Sequence, residues 1–126
     1  MGKRAVNSER AFAAVGPYSH SVLVNEDMLF TSGTIGADPA SGELKETLEE
    51  QVIQTFANLG AILDESGMNF DNVVKTTVFL RDMNDFAVAN RIYAEYFLGD
   101  KPARSTVAVV DLPMGALYEL EAIAVR

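Results

Sequence analysis

The hydrophobic positions along the chain change their spacing several times, and these changes predict the order of the secondary-structure elements. Alternating or β-branched apolar runs predict five strands, at 21–24, 28–35, 72–80, 105–110 and 117–125. Apolar residues spaced three to four positions apart predict one helix from residue 48 to Gly67 and a second from residue 85 to Gly99. The predicted order is therefore two strands, a helix, a strand, a helix and two strands.

The first predicted helix carries start and stop signals as well as a periodic apolar stripe. Thr47 and Glu50 have the spacing of a capping box, in which each side chain bonds the backbone N–H of the other residue. Gly67 stands where a residue in the left-handed conformation would end the helix. The stripe between them consists of Leu48, Val52, Phe56, Leu59 and Leu63. For the second helix, Asn84 or Asp85 can provide the N-terminal cap.

Two helices and five to six strands predict an α+β fold, a two-layer sandwich in which both helices cover one face of a mixed sheet. A length of 126 residues predicts a single domain over 1–126. If Leu120 and Val107 pack under the helices, alternation directs four polar side chains to the uncovered face. These are Arg104, Thr106, Glu119 and Glu121. Because that face also carries Ala, Val and Ile residues, we expect an oligomer that covers it and leaves polar clefts between subunits.

The composition excludes several kinds of site. The chain has no cysteine and a single histidine, His20, which excludes disulfides, thiolate-bound metals and most zinc geometries. Its formal net charge of −8 disfavours nucleic acid as a partner, because that affinity comes mainly from lysine and arginine. No apolar run reaches the ~20 residues of a membrane span. Since residues 1–10 also lack the apolar core of a signal peptide, a cytoplasmic location is expected.

The strongest candidate for chemistry is the combination of Arg104 with Glu119. A guanidinium can bind a carboxylate through two parallel hydrogen bonds, and a nearby carboxylate can hold and deprotonate a water molecule. The alternative is a structural salt bridge between neighbouring strands, which is the more common role of such a pair. Glu121 is expected to face the same way, and an ion pair at a subunit interface is its more common role.

Four other polar or small residues invite a functional interpretation, each with a structural alternative. Tyr18, in a tight turn, either bonds a ligand or is a half-buried aromatic residue with a hydrated hydroxyl. Ser32 and Gly33 interrupt a strand, which indicates either the close approach of a ligand or another chain, or a bulge. Asn90 lies on the apolar side of its helix and needs a partner, in a loop or subunit more often than in a ligand. His20 lacks the companions of a catalytic triad.

Taken together, four segments of the chain resemble the RidA (YjgF) family, the reactive-intermediate deaminases. They are GPYSHSV at 16–22, FTSGTIGADPASGEL at 30–44, VVKTTVFLRDMNDFAVANRIYAEYF at 73–97 and PARSTVAVVDLPMGALYELEAIAVR at 102–126. The resemblance implies a chorismate-mutase-like protomer in a homotrimer, with the sheets forming an inner barrel. It implies three sites between subunits, no cofactor and no metal, and a small carboxylate substrate. The implied reaction is that of a 2-iminobutanoate/2-iminopropanoate deaminase, which hydrolyses enamines and imines such as 2-aminoacrylate to 2-keto acids and ammonia.

The resemblance also assigns roles to individual positions. Arg104 matches the arginine that clamps the substrate carboxylate, and Glu119 matches the glutamate that orients the attacking water. The positions that line or shape the pocket are Tyr18, Ser32, Gly33 and Asn90. Thr106 stands where many members have cysteine, at a position used mainly through its backbone. His20 replaces a common glutamine.

Two other functions are considered beside the deaminase. The same cleft could bind a small metabolite without turnover, as in a regulatory or chaperone-like module, although the presence of both Arg104 and Glu119 favours catalysis. Ribonuclease activity is disfavoured by the charge of −8 and by the single histidine.

Overall fold

The protein, described by a computed structural model over residues 2–126, forms a seven-stranded sheet with two helices. The strands are β1 (Lys3–Val6), β2 (Ser21–Val24), β3 (Met28–Thr31), β4 (Thr34–Ile35), β5 (Val73–Leu80), β6 (Ala103–Ala108) and β7 (Tyr118–Val125). The helices are α1 (Leu48–Asp64) and α2 (Phe86–Tyr93). The strand order is β1-β2-β3-β7-β5-β6, and β4 pairs with β7 beyond the end of β3. Only β5 and β6 run parallel, so the predicted mixed sheet is confirmed.

Helix α1 begins and ends at the predicted signals. The Thr47 hydroxyl accepts a hydrogen bond from the Glu50 N–H at 3.2 Å, and the Glu50 carboxylate accepts one from the Thr47 N–H at 3.2 Å. At the other end, Gly67 has a φ of +69°. The N–H of Met68 donates to the Leu63 carbonyl, which completes a Schellman motif around Gly67. The five residues of the predicted stripe are all buried.

Helix α2 is shorter than predicted and is capped differently. It is flanked by 3₁₀ turns at Met83–Asp85 and Ala94–Tyr96, so the regular helix ends well before Gly99. The capping side chain is Asp82, whose carboxylate accepts from the Asn84 N–H at 2.9 Å. Asp85 makes no side-chain capping bond. The prediction of a cap at Asn84 or Asp85 is therefore wrong, because the chain enters the helix through a 3₁₀ turn that begins earlier.

The strands confirm the predicted hairpin and add two that the pattern did not predict. Asn25 and Glu26, at the turn between β2 and β3, have φ values of +52° and +55°, as tight hairpin turns require. The predicted strand over 28–35 breaks at Ser32 and Gly33 into β3 and β4. The edge strand β1 was not predicted, because three of its four residues are exposed and its sequence has no alternating apolar pattern. Strand β6 begins and ends two residues earlier than predicted.

The core lies between the helices and one face of the sheet. Four residues of β7 point into it and are almost completely buried: Tyr118, Leu120, Ala122 and Ala124. Phe56 of α1 stacks on Tyr96 at 4.1 Å between ring centroids and meets Tyr93 and Phe97 edge-on. On the opposite face, here called the open face, Phe30 and Val107 remain 40% and 42% exposed. Both predicted layers are confirmed, and neither helix within residues 2–126 has the length and hydropathy needed to cross a bilayer.

The predicted orientation of β6 is wrong. Arg104 is paired in register with Thr76, which is fully buried, and Val107 is paired with Phe79. Arg104 and Thr106 consequently point toward the helices, and Val107 points to the open face. The alternation pattern favours Val107 as the core residue because valine is apolar. However, α2 supplies aromatic rings against which the Arg104 guanidinium can be buried.

Candidate active site

A cavity of about 310 Å³ lies beside the break between β3 and β4. It is bounded by the N-terminal loop, by α1 and by the 3₁₀ turn Pro113–Gly115. The apolar lining consists of Ala11, Phe12, Val15, Ile35, Ile62 and Pro113. The polar lining consists of Tyr18, His20, Ser32, Thr34, Asn58 and Glu119. An apolar cavity with a few converging polar groups is the usual form of a small-molecule site.

Glu119 is the acidic group of this cavity. It lies on β7 opposite Ile35 of β4, and alternation along β7 directs it to the face opposite Tyr118. Burial, and secondly the negative charge of Glu121, raise the pKa of the Glu119 carboxyl above its usual value. A carboxylate with a raised pKa can take a proton from water and return it near neutral pH.

Gly33 allows the Glu119 carboxylate to occupy this position. A Cβ atom at Gly33 would lie 2.7 Å from Glu119 Oε2, closer than non-bonded atoms approach. The neighbouring Ser32 fixes the backbone at the break between β3 and β4. Its hydroxyl donates to the Ser19 carbonyl at 2.7 Å, and its N–H donates to the His20 carbonyl at 2.9 Å. Within one protomer, the group that closely approaches the glycine is therefore Glu119 itself.

Tyr18 and His20 border the same cavity in different ways. Tyr18 is 43% exposed at the rim, and its hydroxyl accepts a hydrogen bond from the Val15 N–H at 3.3 Å. The His20 ring is buried between two backbone groups, with Nδ1 accepting from the Ser8 N–H at 3.1 Å and Nε2 lying 2.8 Å from the Phe12 carbonyl oxygen. This arrangement matches the neutral tautomer protonated at Nε2. His20 therefore holds the N-terminal loop in place.

Sequence reasoning missed Asn58, a buried polar residue of the cavity wall. Its side-chain amide donates to the carbonyls of Ile35 at 3.1 Å and Ala37 at 2.9 Å, and so ties β4 to α1. The available signal was an asparagine at the edge of the apolar stripe of α1, four residues before Ile62. A buried amide in a helix interior requires specific partners, and here those partners place the strand that faces Glu119.

Arg104 lies elsewhere, on the helix side of the sheet. Its Nη1 donates to Asn90 Oδ1 at 2.6 Å, which gives the half-buried Asn90 amide a partner. The guanidinium also borders a void of about 10 Å³ together with Thr106 and Tyr118. Among residues 2–126 Arg104 forms no ion pair with Glu119 or any other carboxylate, so the structural salt bridge considered from the sequence is absent.

Arg104 and Glu119 are separated within one protomer. Strand β5 lies between β6 and β7, so the two backbones are two strand spacings, ~10 Å, apart. The side chains also point to opposite faces of the sheet. The prediction that they project together from one uncovered face is therefore wrong. Among the described residues, no group of three or more His, Asp or Glu side chains has the arrangement of metal ligands.

Comparisons with known proteins place this geometry in a family. A family model described as Endoribonuclease L-PSP matches residues 8–126. A mouse protein named 2-iminobutanoate/2-iminopropanoate deaminase is 46% identical over 98% of this chain and 92% of its own length. The chain belongs to the RidA family. An Arabidopsis thaliana member, Reactive Intermediate Deaminase A, chloroplastic, is 45% identical over 97% of this chain and 65% of its own length.

Solved structures of RidA-family proteins have the same fold as this chain. The E. coli YjgF gene product is 40% identical, with a TM-score of 0.92 and 98% of each chain covered. E. coli TdcF with bound serine is 37% identical, with a TM-score of 0.93 and the same coverage. The predicted fold class and family are thereby confirmed.

Proposed function

We propose that this protein is a 2-iminobutanoate/2-iminopropanoate deaminase that hydrolyses reactive enamines and imines to 2-keto acids and ammonia. The observation that carries the proposal is Glu119, a carboxylate with a pKa raised by burial, in a cavity of about 310 Å³. The names of the mouse, rat and human relatives, at 44–46% identity, support the same activity. The net charge of −8 disfavours the phosphate backbone that an endoribonuclease must bind.

The site is completed by a second copy of the chain in a homotrimer. Two observations support this: Arg104 and Glu119 lie on opposite faces of the sheet, and the open face leaves Phe30 and Val107 exposed. Apolar side chains on a sheet face are stabilised when another subunit covers them. Because β6 is the edge strand of the sheet, packing of the open face of one subunit against the β6 edge of its neighbour would bring Glu119 toward the neighbour's Arg104. Tyr18, Ser32 and Gly33 would then lie beside Glu119, and Asn90 and Thr106 beside Arg104.

In the proposed mechanism, Arg104 binds the substrate carboxylate while the enamine tautomerises to the imine. A water molecule adds to the carbon of the C=N bond and gives one proton to Glu119, which returns that proton to nitrogen. The carbinolamine then transfers its hydroxyl proton to the amino nitrogen, and the C–N bond breaks to release ammonia and leave the 2-keto acid. Such imines hydrolyse unaided, so an acceleration of ~100–1,000-fold requires only about 3–4 kcal/mol of transition-state stabilisation.

The activity is tested by generating 2-aminoacrylate or 2-aminocrotonate in the assay and following keto-acid release. Wild type is expected to accelerate release, and Arg104→Ala is expected to abolish the acceleration, because the carboxylate clamp is lost. If wild type binds 2-keto acids without accelerating release, the cleft is a metabolite-binding regulatory site. Cleavage of an RNA substrate by wild type at the same concentration would instead support the ribonuclease alternative.

The position of the site between subunits is tested by mixing two inactive variants. Arg104→Ala chains keep Glu119 and Glu119→Gln chains keep Arg104, so random mixed trimers contain intact sites only if the two residues come from different chains. After co-refolding at equal amounts, about a quarter of the wild-type activity is expected. No recovery would place the site within one protomer. Sedimentation should give three times the 13.7 kDa mass of one chain.

The cytoplasmic location expected from the sequence stays a prediction. The word chloroplastic in the name of the Arabidopsis relative indicates that members of this family occupy more than one compartment.

A further inference from the structure

The guanidinium of Arg104 lies over two aromatic rings of α2. Its central carbon is 4.7 Å from the ring centroid of Tyr93 and 5.5 Å from that of Phe86. Both distances are within the range at which a cation is attracted to the face of a ring. A planar guanidinium also stacks well on such faces, unlike an ammonium group. The two rings therefore restrict the orientation of the Arg104 head group.

The Tyr93 ring is itself held firmly. Its hydroxyl lies 2.7 Å from the Thr76 hydroxyl in a buried hydrogen bond, on the strand that pairs with β6. The ring also meets Phe56 edge-on at 5.8 Å and Phe97 at 4.7 Å. A ring fixed at its edges and at its hydroxyl is a rigid support for the group that stacks on it.

The space behind Arg104 is too small for a substrate. The void that Arg104 shares with Thr106 and Tyr118 measures about 10 Å³, room for one water molecule at most. The Thr106 and Tyr118 hydroxyls are buried there without a protein hydrogen-bond partner. A carboxylate has to approach Arg104 from the opposite, partly exposed side.

We propose that Tyr93 is a positioning residue: its ring, together with the Phe86 ring and with Asn90 accepting one N–H, directs the remaining N–H groups of Arg104 toward the substrate carboxylate. This inference rests on the proposed function, in which Arg104 is the carboxylate clamp. Pre-orientation removes the entropy that a long, free arginine side chain would lose when it binds.

The test compares Tyr93→Leu with Tyr93→Phe, using 2-oxobutanoate as the binding probe in calorimetry and the imine as substrate in kinetics. Tyr93→Leu removes the ring, and about a 10-fold increase in both Kd and KM is expected, with a smaller change in kcat. Tyr93→Phe keeps the ring and should restore Kd to within about 2-fold of wild type. Phe86→Leu, at the more distant ring, is a second variant with an expected increase of about 3-fold.

The matched control is Tyr96→Leu. Tyr96 stacks on the same Phe56 ring as part of the same aromatic cluster but does not contact Arg104. The Tyr96→Leu variant should lower the thermal midpoint as Tyr93→Leu does and leave the Kd for 2-oxobutanoate unchanged. An equal increase in Kd for Tyr96→Leu would overturn the inference, because the effect would then come from the packing of α2.

A double variant separates failure of this inference from failure of the proposed function. In the Arg104→Ala background, Tyr93→Leu should cause no further loss of binding, since its effect passes through Arg104. If Arg104→Ala binds 2-oxobutanoate as wild type does, the proposed clamp is wrong whatever Tyr93 does. If Arg104→Ala loses binding and both Tyr93→Leu and Phe86→Leu retain wild-type Kd, only the positioning role is wrong.

Discussion

The surroundings of Glu119 and those of Arg104 differ in almost every physical respect. Glu119 borders a roomy cavity, and burial and a neighbouring negative charge raise its pKa. Arg104 is held by an amide oxygen and two aromatic rings beside a void that has room for one water. The difference fits the two tasks proposed for these residues, a general base and a carboxylate clamp. A base must keep space for water and an affinity for protons, whereas a clamp must be aimed before its ligand arrives.

The largest effect is expected when the charge of Glu119 is removed. Glu119→Gln keeps the shape of the side chain and removes the proton acceptor, so kcat should fall by ~100-fold or more in the coupled assay. Glu121→Gln removes the neighbouring carboxylate on the same strand face and should change kcat by less than about 3-fold. Equal losses in the two variants would mean that the total charge of the face matters and that Glu119 has no special role.

A smaller effect is expected at Gly33. The methyl group of Gly33→Ala would displace the Glu119 carboxylate, the flexible end of which lies 2.7 Å from the added carbon. We expect kcat to fall by about 10-fold with a loss of less than ~1 kcal/mol in unfolding free energy. Gly99→Ala is the control, since an added Cβ there meets no atom within 4 Å. Unchanged kcat in Gly33→Ala would show that the precise place of the carboxylate is unimportant.

The pH dependence of kcat is a further test of the role proposed for Glu119. Because the folded-state pKa of Glu119 is raised, the base is lost on acidification at a higher pH than for an ordinary glutamate, and kcat should fall there. Glu121→Gln removes the repulsion and should move this acidic limb to lower pH.

The pH dependence of stability has the opposite sign to that of kcat. A raised carboxyl pKa contributes stability below the unfolded-state pKa, and that contribution is lost as pH rises through the folded-state pKa. Glu119→Gln should therefore raise the thermal midpoint at pH 7 relative to wild type, and less so at pH 4. A larger rise in the thermal midpoint at pH 4 than at pH 7 would contradict a raised pKa at Glu119.

A difference in stability is expected between variants of two buried tyrosines on the Arg104 side. Tyr93→Phe leaves the buried Thr76 hydroxyl without its partner and should cost about 1–2 kcal/mol of unfolding free energy. Tyr118→Phe removes a hydroxyl that has no protein partner and should change stability by less than ~1 kcal/mol. Urea unfolding of both variants checks the difference. A large loss for Tyr118→Phe would indicate that its hydroxyl is firmly bonded to water in the void.

Features that depend on neighbours in sequence were predictable. The capping box at Thr47, the glycine cap at Gly67 and the hairpin turn at 25–27 rest on backbone hydrogen bonds within a few residues. The alternation that places Glu119 and Glu121 on one face of β7 also follows from strand geometry alone. Strand alternation also suggested the combination of Glu119 with Arg104, and the family resemblance assigned each of the two residues its role.

Features that depend on register between distant segments were not predictable. The direction of Arg104 follows from the pairing of β6 with β5, and both alternatives fit the sequence because Val107 and Thr106 are each acceptable at an edge strand. The role of Asn58 depended on where the β4 carbonyls would lie.

The sequence by itself determined the elements, their order and the identity of the residues available for chemistry, because periodicity, capping and charge are local properties. Only the tertiary structure decided which of those residues share a surface. The tertiary structure placed Arg104 against the rings of α2 on one face of the sheet and Glu119 in a cavity on the other face. Strand order and register decide this, because they are set by the packing of the whole sheet against the helices.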